Sequence, residues 1–414
     1  MPIKSGIATK FKAAVKGDVV ADCGATPLHP AKEVTFGSVV SLVNRRSEIL
    51  VLSNVQTGAS IAVWPAMQGR ILTSSVDGPE GLGFGWVNLE LISSGEVREH
   101  INAVGGEDRL WLGPEGGQFS IFFSPGVPFD LEHWNTPAPI DTEPFEVVKK
   151  NKNFVALRKA FHLENYSGAR FHVQIDRVVR LLSGQRIWRS LKINPVEGIK
   201  VVGFESDNKP TNIAKKAWSK DTGLLSLWIL GQFQSNSQTT IVLPIRRGPE
   251  SSLGTPVTTN YFGDIPEDRI SARDDVVLFK ARANYRAKLG LSIQRAKGIL
   301  GSYDELKGVL TIVQYSQPTG FAEYVNASWR IQEEPYNGDV ANCYTDGPTF
   351  PGESQIGDFY ELESSSPAQV LGPLDFVSHV QRTIHLVGSD AQLDSISRSA
   401  LGVNLEDIRS FNSK

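Results

Sequence analysis

Cysteine is scarce: Cys23 and Cys343, 320 positions apart, are the only two in 414 residues. Two thiols in so long a chain neither staple a small core nor build a metal cluster, so the expectation is a pair of buried free thiols. A surplus of one charge is missing too, since 42 Lys and Arg stand against 45 Asp and Glu, for a net charge of −3. Nothing here pulls nucleic acid or anionic lipid from a distance, and the ligand to expect is close to neutral. No apolar run approaches the ~20 residues of a membrane helix. The longest lies around Leu224 to Leu230. A soluble chain with neither nucleic-acid nor membrane partner is expected.

The amino terminus, MPIKSGIATKFKAAVKGD, is basic, but no apolar block of ~7–15 residues follows it as in a secretory signal. The cytoplasm is the compartment to expect from the sequence as it stands; a trimmed leader would place the protein in the periplasm or outside. The sequence also lacks a Walker phosphate loop, a GxSxG elbow, HExxH and paired CxxC. The glycine-rich GPEGLGFGW, Gly78 to Trp86, reads as a turn between strands, because VNLELI after it continues as strand and no helix pattern follows.

What the sequence does have is short runs of Val, Ile, Phe and Trp separated by Gly, Pro, Asn and Ser, the pattern of a β protein. Phe171, Val173 and Ile175 alternate with His172, Gln174 and Asp176, one face for a core and one for water. Strands are also expected over 49–53, 59–65, 120–123, 156–163, 186–193, 224–232, 239–245, 276–283, 309–315, 359–363 and 377–387. Helical pattern is convincing only at the carboxyl end. There Ser389 and Gln392 have capping-box spacing, Leu393 and Ile396 repeat at three residues, Gly402 can close the helix, and Asn404 can cap a shorter one. The expected fold is all-β: one domain over 1–414, a large antiparallel two-sheet sandwich with its core at about 34–388 and a helical tail at 389–414. The polar stretches 206–219 and 246–273 read as long loops rimming a site.

Two segments carry chemistry. From Ile101 to Phe123, Glu107, Asp108, Arg109 and Glu115 surround Trp111 between two Gly-Gly pairs. Planar carboxylate and guanidinium groups suit sugar hydroxyls and an indole suits a pyranose face, although an ion pair beneath a core tryptophan would leave the same residues. In FYELESSSPAQVLGPLDF, strand alternation puts Phe359, Glu361 and Glu363 on one face and Tyr360 and Leu362 on the other. Residues i and i+2 of a strand lie roughly 7 Å apart. Two carboxylates so placed repel and one pKa rises, which suits acid–base work, a cation site or a sugar diol. Ca²⁺ held by Glu361, Glu363, Asp264 and Asp375 is a weaker expectation; otherwise no cofactor is foreseen.

Three landmarks in order resemble the galactose-mutarotase-like (aldose 1-epimerase-like) β-supersandwich superfamily, including its uncharacterised bacterial branches. They are ILVLSNVQTGASIAVWPAMQGRI with Gly69 and Arg70, AVGGEDRLWLGPE, and YELESSSPAQVLGP, spanning about residues 49 to 387. The resemblance implies a concave sheet surface that holds a sugar, with a late glutamate as base toward the anomeric hydroxyl. Glu363 matches that glutamate, with Glu361 as rival. It also implies two histidines, where this sequence has Val104 before Gly105 and Gly106, and no histidine in Ala217 to Ser219. The seven present are His29, His100, His133, His162, His172, His379 and His385; His100 and His133 lie near enough to the Gly-Gly segment to serve instead. The expected site therefore comprises Glu363 and Glu361 as catalytic groups, with Arg70, Glu107, Arg109, Trp111, Glu115, His100 and His133 around a sugar or oligosaccharide. The function to expect is a carbohydrate-active protein, possible forms being an epimerase, a glycoside hydrolase or lyase, or a non-catalytic sugar binder.

Overall fold

Alternation along the strands settles which side chains meet in the core, and in the computed structural model, which describes residues 34–349 and 355–413, it organises three antiparallel sheets. Cys23, His29 and the basic amino-terminal stretch lie outside the described residues; Cys343 is a buried free thiol. The broadest sheet has ten strands, in the order Ile270–Ala272, Val276–Lys280, Thr239–Pro244, Ile299–Asp304, Val309–Tyr315, His379–Val387, Lys200–Asn212, Arg170–Leu181, Phe154–Glu164 and Glu146–Lys150. A five-stranded sheet runs Ala287–Leu291, Ala341–Thr345, Phe359–Ser365, Ser226–Gln234, Arg109–Gly113. A third has three strands, Leu50–Ser53, Ser60–Trp64 and Arg70–Ser75, and an isolated bridge from Ile71 to Asp108 ties it to the start of the five-stranded sheet.

The two large sheets bury their facing sides against each other. Leu289, Cys343, Leu362, Tyr360 and Phe233 from the five-stranded sheet join Ile241, Leu243, Val277, Phe279, Leu300 and Val313 from the ten-stranded one. Removing this apolar surface from water is the main stabilising term. The ten-stranded sheet's other face, with Val242, Leu278, Leu310, Ile312 and Leu386, is covered by Leu393, Ile396, Leu401, Leu405, Ile408 and Phe411 of the carboxyl-terminal helices. Those helices span Asp390–Leu401 and Leu405–Asn412. Ser389 and Gln392 form the capping box, Gly402 closes the first helix at φ 76°, and Asn404 caps the second.

Several segments differ from the sequence reading. Residues 186–193, expected as strand, lie mostly in the helix Gly184–Leu191, because Ser183 caps it and Ile187, Trp188 and Leu191 then share one buried face. The VNLELI segment turns into the helix Leu89–Ser94: Asn88 Oδ1 accepts from the Leu91 amide at 3.0 Å, and Gly95 ends it. A further helix, Phe36–Asn44, capped by Thr35, packs on the three-stranded sheet. Residues 120–123 form no strand; Ser120 Oγ accepts from the Phe122 amide, and Ile121, Phe122 and Phe123 are buried consecutively without a ladder. The expected loop 206–219 is strand as far as Asn212. Pro210 is tolerated because its carbonyl accepts from Val377 N, and in a strand its missing N–H would face that same side, past the end of the His379–Val387 ladder.

Candidate functional site

The face of the five-stranded sheet turned away from this core is polar and aromatic. Glu363 is in register with Asn342 and Leu230, and Leu230 with Arg109; one pleat along, Glu361 is in register with Tyr344 and Gln232, and Tyr344 with Lys288. Because alternate residues share a face, Arg109, Leu230, Gln232, Lys288, Tyr344, Glu361 and Glu363 line one cavity while Leu110, Leu362 and Cys343 point into the interior. The cavity holds about 320 Å³ and is walled by Trp111, Trp134, Trp228 and Trp329 together with Arg109, Glu115, Arg286, Lys288, Tyr344, Asp346, Glu361 and Glu363.

Two ion pairs lie within it. Arg109 Nη2 donates to Glu361 Oε1 at 3.1 Å, and its guanidinium carbon lies 4.1 Å from the centre of the Trp111 ring. Lys288 Nζ donates to Glu363 Oε2 at 3.0 Å, sits 4.5 Å from the Trp228 ring centre, and shares that oxygen with the Trp228 indole N–H at 2.8 Å. The two carboxyls thus have different environments. Burial pushes Glu361 up to about 8 despite the opposing charges of Arg109 and Lys288, and Glu363 raises it further by its charge and by the hydrogen bond that neutral Glu361 makes to it. Burial alone would lower the Lys288 ammonium, but Glu363 and Glu115 outweigh it and the net shift is upward. Glu115 is raised by burial and by Glu363, against the pull of Lys288 and Arg286.

Not every polar atom here is satisfied. Among the described residues, Glu363 Oε1, Arg109 Nε, Gln232 Oε1 and the indole nitrogens of Trp111 and Trp134 are buried without a hydrogen-bond partner. Buried polar groups are ordinarily paired, and those that line this cavity are what a polar ligand or ordered water would satisfy.

Of the residues singled out from sequence, Glu361, Glu363, Arg109, Trp111, Glu115 and His100 line this cavity. His100 Nδ1 lies 2.8 Å from the Trp134 carbonyl oxygen and 3.1 Å from Asn135 Oδ1, so that nitrogen carries the proton and leaves Nε2 for a ligand. Arg70, Glu107 and His133 lie elsewhere. Arg70 is fully buried, donating to the Gly105 carbonyl at 3.0 Å and to Gln68 Oε1 at 3.2 Å, and burial with nearby Arg109 lowers it to about 9. Glu107 is locked in the interior by Ser74 and by His385 Nε2 at 2.7 Å. His133 pairs with Asp130 at the surface. The Ca²⁺ expectation is corrected: among the described residues no three His, Cys, Asp or Glu groups gather into a cation site. Asp375 instead accepts from the Gly372 amide in its own loop. The Gly105-Gly106 pair serves chain packing, since at φ 94° a Cβ on Gly105 would stand 2.1 Å from the Trp86 carbonyl oxygen.

Sequence reading passed over Trp228, Lys288, Arg286 and the Trp134 and Trp329 walls. The one signal was a lysine inside AKLGL, a charge in a strand whose five residues are all buried. The expected rim 246–273 contributes Phe262 to the cavity mouth.

Fold and cavity define an all-β antiparallel sandwich protein with an aromatic-walled pocket that holds two ion pairs. Residues 34–412 match the family model described as a family of unknown function (DUF6786), and the chain belongs to that family. No curated protein matches the sequence. Similar solved structures include a protein from Synechocystis sp. PCC 6803, at 12% identity over 83% of this chain and 97% of that one, with a TM-score of 0.49. Others are the galactose mutarotase related enzyme from Lactobacillus acidophilus, at 9% identity over 82% and 97%, TM-score 0.44, and a galactose mutarotase-like protein from Lactobacillus casei, at 10% identity over 82% and 99%, TM-score 0.41.

Proposed function

We propose that the cavity binds a neutral pyranose and interconverts its anomers through the Glu361–Glu363 pair. The observation that carries this reading is the contrast between two carboxyls on one strand, Glu361 held neutral up to about 8 and Glu363 facing a lysine and an indole N–H. Glu363 Oε1, which has no partner, takes the proton from the anomeric hydroxyl; Glu361, anchored through Oε1 by Arg109, gives its proton to the ring oxygen. As the C1–O5 bond breaks, the C1–O1 double bond forms, and ring closure on the opposite face reverses both transfers. The two sugar oxygens are attached to the same carbon, so two carboxyls on one face of one strand can serve both at once. The tryptophans offer faces for the ring, and cations and carboxylates nearly balance, as a neutral ligand requires.

Non-catalytic sugar binding is favoured by one observation: the positions where mutarotase-like histidines were expected are occupied by Val104 and Trp218, both buried in apolar clusters.

Exchange NMR between the anomers of glucose, galactose and mannose tests the proposal. Acceleration by the protein, abolished in Glu363→Gln while binding stays within about tenfold, roughly 1.4 kcal/mol, is the expected result. Saturation transfer to a sugar with no anomeric exchange overturns it in favour of binding alone.

A further inference from the structure

The inner cavity opens into a second space of about 670 Å³, and Leu131, Phe262, Arg286, Trp329 and Thr349 line both. Taken together they reach the upper end of the ~300–1,000 Å³ range of small-molecule sites, whereas the inner cavity alone sits at its lower end. The shared wall is chemically specific. Phe262 is 41% exposed, an aromatic ring offered to solvent at the junction. The Arg286 guanidinium carbon stands 4.0 Å from its ring centre. Arg286 donates through Nε to Tyr344 Oη at 3.3 Å, and among the described residues its two terminal nitrogens have neither a hydrogen-bond nor a salt-bridge partner. Trp329 lines the same opening, braced against Trp134 at 6.0 Å and Phe123 at 5.1 Å between ring centres.

From this arrangement, and resting on the sugar reading of the inner cavity, we infer that the ligand is a saccharide of at least two units. One ring lies on the carboxylate floor, and the next lies against Phe262 and Trp329 with its hydroxyls accepting from Arg286. A single hexose would leave the aromatic junction wet and the planar donor fork unused, whereas a second ring presents an apolar face and hydroxyl oxygens to both. Stacking on a preformed aromatic costs little conformational entropy, because Phe262 is held between Arg286 and Tyr344, whose ring centre lies 6.0 Å away.

Titration calorimetry with glucose, galactose and mannose, each beside its α- and β-linked di- and trisaccharides, reads the inference directly. For at least one series the disaccharide is expected to bind tenfold or more tightly than its monosaccharide. Phe262→Ala is expected to bring that ratio close to one, and Phe262→Trp to preserve it; thermal unfolding of both variants confirms that they fold. Equal affinity for mono- and disaccharide in every series, or a ratio unchanged in Phe262→Ala, overturns the two-ring reading while leaving the one-ring site standing. Failure of all saccharides to bind removes the sugar reading itself and this inference with it.

Discussion

Lys288 Nζ stands 3.0 Å from Glu363 Oε2, with only 7% and 0% of the two side chains exposed. A charge so withdrawn from water is tolerable only while its partner is present, so Lys288→Met is expected to destabilise the fold by about 3–5 kcal/mol. Urea denaturation at neutral pH checks this. A loss under about 1 kcal/mol would mean that Trp228 alone satisfies the carboxylate.

Glu361 gives stability a pH dependence opposite to that of an ordinary salt-bridged carboxylate. Its folded-state pKa of about 8 lies above the ordinary 4.5, so its contribution is fully present below about pH 4.5 and is lost as pH rises through 8. The difference in urea midpoint between the native protein and Glu361→Gln should therefore drift against the native protein from pH 5 to 9. A constant difference over that window would show that Glu361 does not titrate there. If Glu361 is the proton donor, anomeric exchange should fall over the alkaline limb as well.

Arg177 and Asp108 form another buried pair, at 2.6 Å with both side chains unexposed, supported by Asn208 and Ser206 and by the Gly69 carbonyl. Asp108→Asn is expected to cost about 3–5 kcal/mol because it strands a buried guanidinium. Asp176→Asn removes the same charge from a pair in which Arg158 is 50% exposed, and should change stability by no more than about 1 kcal/mol. Comparable losses from the two would contradict this ranking of buried over exposed charge.

Trp111 has two separable properties, a ring wedged among Phe122, Trp134 and Trp228 and an indole N–H without a partner. Trp111→Ala leaves a core cavity and should cost about 3–5 kcal/mol. Trp111→Phe keeps much of the packing and removes the donor, so it should weaken sugar binding severalfold in calorimetry with a smaller loss of stability. Unchanged affinity in Trp111→Phe would make Trp111 purely a packing residue.

The strands with strict alternation were legible because period-two patterning and burial are one fact seen twice. Arg170–Leu181 buries every second residue, as the alternation of Phe171, Val173 and Ile175 requires, and Phe359, Glu361 and Glu363 share the face that alternation assigned them. Legibility failed where capping competed with apolar content: an Ile and a Trp in 186–193 suggest strand, but Ser183 starts a helix that buries both. It failed again for Arg70 and Glu107, whose charge suggested solvent or substrate, since the groups that neutralise and anchor them come from distant chain segments. Lys288 and Trp228 were missed for the same reason, as their importance comes from Glu363, 75 and 135 positions away.

The Arg109–Glu361 contact joins positions 252 apart, and its order in the chain has a temporal meaning. A chain emerging from the ribosome has Arg109 and Trp111 long before Glu361 or Glu363 exists, so for most of synthesis Arg109 waits without its acid. Contacts of such long range form late in folding. The sugar ligand proposed above should therefore slow the opening of the finished molecule by binding only that state, but it has little to grip in the unfinished one, and refolding should begin at the same speed with ligand or without.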